Sequence, residues 1–82
     1  MSDGEARQSI IKFFYDAYHQ GGLHVIVDAH SVARELKLDE SQARRCFDYL
    51  AAKGLIKPMT LGGGYSPTVS LVDEAEAVSG GQ

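Results

Sequence analysis

Tryptophan is absent from the 82 residues, and cysteine occurs once, as Cys46. A lone cysteine forms no intramolecular disulfide, so the fold must rest on its core, and a reducing, cytoplasmic setting is expected. No apolar run approaches the ~20 residues that a membrane-spanning helix needs. No basic-then-apolar stretch opens the chain as a secretory signal would. From Pro58 onward there is neither lysine nor arginine, only Asp73, Glu74 and Glu76 among the charged residues. The net charge of −3 also leaves out the basic balance of a simple nucleic-acid binder.

What cations there are cluster. Residues 34–57 hold Arg34, Lys37, Arg44, Arg45, Lys53 and Lys57 against four carboxylates, whereas residues 1–33 hold two basic groups against four acidic ones. A chain this short makes one small domain and buries roughly 60 to 65% of its unfolded surface. That suffices for one core, and a deep active site would consume much of it.

The first half reads as helices. Ser2 and Glu5 have the spacing of a capping box. Behind them Ala6, Ile10, Phe13, Phe14 and Ala17 recur at helical steps, and Ile11 and Tyr18 widen the stripe. The pair Gly21–Gly22 ends this helix, which is expected over about 4–20. "HVIV", 24–27, is β-branched and predicts a brief strand or extended segment. Asp28 then caps a second helix over about 29–37, built on Ala29, Val32, Ala33 and Leu36. A third helix, about 40–53, carries Ala43, Phe47, Leu50 and Ala51 inward and closes at Gly54.

The second half reads as a hairpin. Met59 and Leu61 alternate with Thr60, and Val69 and Leu71 alternate with Thr68 and Ser70, which predicts two half-buried strands. Gly62, Gly63 and Gly64 stand between them as a tip where positive φ is free at every position. Pro58 and Pro67 confine these strands to edges or exposed ends. "DEAEAVSGGQ" fades into a tail, so the domain is expected over 1–74 and a flexible acidic to Gly/Ser-rich segment over 75–82. The expected core is Ile10, Phe13, Phe14, Ala17, Val32, Ala33, Leu36, Ala43, Phe47, Leu50, Leu55, Ile56, Val69 and Leu71.

"VARELKLDESQARRCFDYLAAKGLIKP", 32–58, resembles the helix-turn-helix of prokaryotic winged-helix regulators. Val32, Ala33, Leu36 and Leu38 fit its second helix and turn, and Leu50, Lys53, Gly54, Leu55 and Ile56 fit the end of its third. "GGGYSPTVSLVDEA" resembles the wing and its exit. The likeness spans about 24–72, with the first helix fitting in front, and it is specific for a fold rather than for a subfamily. It implies an α+β, three-helix winged helix-turn-helix with a C-terminal β-hairpin wing. It also implies double-stranded DNA as partner, with the third helix in the major groove and the wing at phosphate or the minor groove.

Carried onto this chain, the resemblance nominates Ser41, Gln42, Arg44, Arg45, Tyr49, Lys53, Lys57 and Tyr65 as DNA contacts. Arginine reads guanine, glutamine reads adenine, and serine reaches phosphate. Two features depart from that picture. Asp48 shares the outward face, and "LGGGYS" carries no cation. The alternative is a winged helix used for protein contact, where neither feature is a handicap.

Other chemistries find little footing. His19, His24, His30 and Cys46 lack paired ligand spacing, so no metal is expected. Cys46 reads as a small buried thiol, although Arg44 and Arg45 beside it keep a redox role in view. The three glycines precede a strand, not a helix, and follow no phosphate-loop pattern. No nucleophile, base and orienter set appears, so neither catalysis nor a cofactor is expected. The stripe Ile11, Phe14, Tyr15 and Tyr18 is the expected face for pairing two copies.

Overall fold

The structure, a computed structural model, describes residues 2–59 and 63–79. It is α+β, with α1 over Asp3–Gly21, α2 over Ala29–Leu36 and α3 over Glu40–Ala52. An antiparallel pair follows, β1 (Ile56–Pro58) and β2 (Tyr65–Pro67), and then a fourth helix, α4 (Val69–Ser79).

Local chemistry sets the first three helices. The Ser2 Oγ accepts from the Glu5 N–H at 3.2 Å, and the Glu5 carboxylate accepts from the Ser2 N–H at 3.1 Å. Two of the four free N–H groups at the head of α1 are thereby satisfied. Asp28 caps α2 by accepting from the Ser31 N–H at 2.8 Å. Lys37 ends α2 in the left-handed region, φ 58°, a conformation that costs an L-residue about 1 kcal/mol. That bend lets the Leu38 N–H return to the Ala33 carbonyl at 2.8 Å and sends the chain straight into α3.

These helices share one core. Ala6, Ile10 and Phe14 of α1 and Val32 of α2 are fully buried, alongside Phe47 and Leu50 of α3. The Phe14 and Phe47 rings meet 5.5 Å apart at a tilt of 54°, the offset geometry that ring quadrupoles favour. Phe13, Ala17 and Leu36, expected inside, are only partly buried and pack against this cluster.

The C-terminal third departs from expectation. The strands sit earlier, pairing Ile56 with Pro67, Lys57 with Ser66 and Pro58 with Tyr65. Of the strand expected at Met59–Leu61, only Met59 is among the described residues, and its N–H bonds the Gly64 carbonyl at 2.8 Å. Val69 and Leu71 lie on a helix, not a strand. Leu71 and Ala75, four residues apart, point into the core, while Val69 is 60% exposed and is not a core residue. The tail expected from residue 75 is, through Ser79, the second half of α4. Thr68 makes this switch: its hydroxyl lies 2.7 Å from the Gly54 carbonyl and accepts from the Leu71 N–H at 3.3 Å, capping α4. The expected strand at 24–27 shrinks to Val27, which exchanges backbone hydrogen bonds with Tyr65 at 2.7 and 2.8 Å. Buried Ser66 ties down the same segment by donating to the Val25 carbonyl at 2.6 Å.

Two described glycines explain the hairpin. Gly63 has φ 68°, which only glycine adopts cheaply. Gly64 is buried, and a Cβ there would collide with the Ile26 side chain while sitting 3.4 Å from the Val27 carbonyl oxygen. The Ile26 side chain lying against its Cα, not conformational freedom, favours glycine at this second position. Gly62 lies outside the described residues.

Candidate functional site

The nominated residues lie mostly on α3, whose inner face is buried and whose outer face is polar. Ser41, Arg44, Arg45 and Asp48 are exposed, Gln42 is half-buried, and α3's last turn brings in Tyr49 and Lys53. Successive residues diverge by about 100° on a helix, so Arg44 and Arg45 lean to opposite sides.

On the side of Arg45 the neighbour is the head of α1. Asp3 Oδ1 accepts from the Arg45 guanidinium at 3.2 Å and from the Gln42 side-chain amide at 3.0 Å. The Gln42 amide, and then Arg45, hold the Asp3 carboxyl below its ordinary range. Further along, the Arg7 guanidinium lies 4.2 Å from the centre of the Tyr49 ring and the Lys53 ammonium 5.6 Å from it. Tyr49 is therefore in contact range of two cations.

On the side of Arg44 the partner is Glu40, one turn back. Its carboxylate accepts from Arg44 at 3.0 and 3.3 Å, and His30 Nδ1 lies 3.1 Å from its other oxygen. His30, then Arg44, lower the Glu40 pKa. Asp48 takes neither arginine, though the spacing put it within reach of both, and it makes no ion pair among the described residues. It lines a recess of about 310 Å³ with Asp28, His30, Arg44, Gly63 and Tyr65, between the start of α2, α3 and the hairpin.

Three nominated residues are placed differently. Ser41 donates to the Asp39 carboxylate at 3.1 Å. Tyr65 is not a free tip residue, because its ring stands edge-on to Phe47 at 5.1 Å and its backbone is paired with Val27. Lys57 is exposed in the middle of β1, opposite Ser66.

Of the expected pairing face, Ile11 and Phe14 are buried and Tyr15 and Tyr18 are half-buried. α4 packs on α1, Phe14 is fully buried and Ile11 is 7% exposed. The Tyr15 hydroxyl donates to Glu76 of α4 at 3.1 Å, and the Tyr15 ring stacks with Tyr18 and stands edge-on to His19. α4 was not expected there, and Tyr15 and Tyr18 keep part of their surface open beside it. Cys46 is buried, its thiol pushed up by desolvation and donating to the Asp3 carbonyl at 3.9 Å. Among the described residues no three His, Cys, Asp or Glu side chains converge as a metal site, and no helix is long and apolar enough to cross a membrane.

Asp3, Arg7 and Glu40 were not nominated, yet they contact four of the eight residues that were, Gln42, Arg44, Arg45 and Tyr49, and His30 joins them through Glu40. The Glu40–Arg44 pair is legible as an i,i+4 spacing. Asp3 and Arg7 reach α3 only through the packing of α1, which no local pattern encodes. The chain matches no protein-family model, no curated protein and no solved structure.

Proposed function

We propose that this chain is a winged-helix binding module that contacts duplex DNA through the outer face of α3. One observation carries the reading. The tight turn at Lys37–Asp39 joins α2 to α3, and it leaves Ser41, Arg44 and Arg45 uncovered on a rigid helix flanked by the hairpin. Arg45 is the base-reading candidate, Arg44 and Ser41 the backbone contacts, and Lys53 and Arg7 supply further charge beside Tyr49. The wing of this reading is the β1–β2 hairpin, whose described residues carry one cation, Lys57.

Binding of this kind is weak. About three or four phosphate contacts give a log–log salt slope near −3 to −4 and micromolar affinity. A titration of duplex DNA at low and moderate salt tests it. Arg45→Ala costs ~1–3 kcal/mol of binding if it reads a base. Asp48→Asn tightens binding to any duplex by removing a carboxylate from the contact face. Absence of salt-sensitive binding, with neither substitution having an effect, removes α3 as a DNA reader. Protein contact then becomes the reading, favoured by Asp48 in the recess and by arginines already matched with carboxylates.

A further inference from the structure

We propose that Asp3 is a built-in competitor for the nucleic-acid backbone: a carboxylate, carried by α1, that occupies the donors α3 would offer to phosphate. The inference rests on reading α3 as the DNA-contact helix and names what limits its affinity.

Asp3 does not reach Arg45 by chance of a long side chain. It is the first residue of α1, placed by the Ser2–Glu5 capping box one position before it and two after. The same turn is packed on α3: Ala6 is fully buried, and the Asp3 carbonyl faces the Cys46 thiol. The backbone that carries the carboxylate is thus fixed before any pair forms. One oxygen, Oδ1, then serves two donors on successive turns of α3, the Gln42 amide and the Arg45 guanidinium. Glu40 repeats the arrangement on the other flank, on Arg44.

These pairs are open to water, with Arg45 and Asp3 side chains 60% and 47% exposed. They add little to folding for that reason. Their consequence falls on binding instead. A phosphate approaching Arg45 must displace Asp3 or share the guanidinium with it, and the carboxylate repels the phosphate while it stays. At low salt the Debye length exceeds the distances involved, so the repulsion is felt in full.

Fluorescence anisotropy of a labelled mixed-sequence duplex, between about 50 and 200 mM salt, tests this. Asp3→Asn keeps the shape and removes the charge. It tightens binding about three- to tenfold at the low-salt end, and the salt slope steepens by about one because a further cation becomes available to phosphate. Asp3→Ser, the second neutral variant, moves the same way. In an Arg45→Ala background the gain shrinks to under about twofold, which separates release of Arg45 from general loss of negative charge. Duplex binding by Asp3→Asn where the parent shows none also supports the proposal. If the parent binds with a clear salt slope and both neutral variants bind equally or more weakly, Asp3 orients Arg45 or is idle, and the competitor is overturned while the DNA reading stands. If neither the parent nor the neutral variants bind in a salt-sensitive way, the DNA reading itself falls and takes the competitor with it.

Discussion

The two faces of α3 are one helix under two regimes. Inward, Ala43, Cys46, Phe47 and Leu50 are at most 2% exposed and touch α1, α2 and the hairpin. Outward, Ser41, Arg44, Arg45 and Asp48 stand in water, and each arginine is matched by a carboxylate of the same chain. Burial is nearly proportional to area and is not screened, whereas ion pairs in water are weak and salt-sensitive. The inner face therefore holds the fold, and the outer face can be rewritten at little cost to it. Binding chemistry belongs where substitutions are cheap for folding.

The sharpest break of this contrast is Leu50→Ala, which acts on the inner face alone. Leu50 is 1% exposed among Phe14, Phe47 and Val32 of the same cluster, so a cavity remains where its methyl groups were. The expected loss is ~2–5 kcal/mol, enough to unfold much of a domain this small. Urea denaturation measures it. A midpoint equal to the parent's would mean that the inner face does not carry the fold.

The second prediction concerns the hairpin beside α3. Gly64→Ala pushes a methyl group into the Ile26 side chain, which has to leave its rotamer. The expected cost is ~1–2 kcal/mol, less than the cavity because Ile26 is 59% exposed and can swing outward. In an Ile26→Ala background the same change should cost almost nothing. An equal penalty in both backgrounds, read from thermal melts, would put the strain elsewhere, for instance at the Val27–Tyr65 bridge.

What could be read ahead of the structure follows the same division. The three helices of the inner core were legible because each has a 3.6-residue stripe and a local boundary signal: Ser2 with Glu5 and Asp28 at the starts of the first two, and Gly54 at the end of the third. α4 was not, because four residues of alternation, Thr68 to Leu71, outweighed the spacing of Leu71 to Ala75 and the capping hydroxyl of Thr68. That error propagated. Without α4, the chain after residue 74 reads as a tail. At the candidate site the positions on α3 follow from its periodicity. Their partners do not, since Asp3 comes within bonding distance of Arg45 across 42 positions of sequence only when α1 and α3 pack.

Acid provides the finest test, because it addresses the outer face without touching the inner one. Asp3 and Glu40 have folded-state pKa values below their ordinary 3.8 and 4.5, the first through Gln42 and then Arg45, the second through His30 and then Arg44. A depressed carboxylate pKa means that the folded form binds the proton less readily than the unfolded one. The stabilisation is thus present above the ordinary pKa and disappears as pH falls through the folded value. Stability should accordingly be level from neutrality to about pH 5 and decline below it. Part of this decline belongs to the capping carboxylates Glu5 and Asp28, which are depressed by Ser2 and Ser31 and sit apart from the outer face. The double variant Asp3→Asn with Glu40→Gln keeps those caps and removes the two outer-face groups. Its thermal midpoint should fall less than the parent's between pH 7 and pH 3, by the smallest margin of the three predictions, and added salt should narrow that margin. Parallel curves for the two proteins would show that the outer-face pairs carry no pH-dependent stability, and that the two faces of α3 differ even more than their exposure implies.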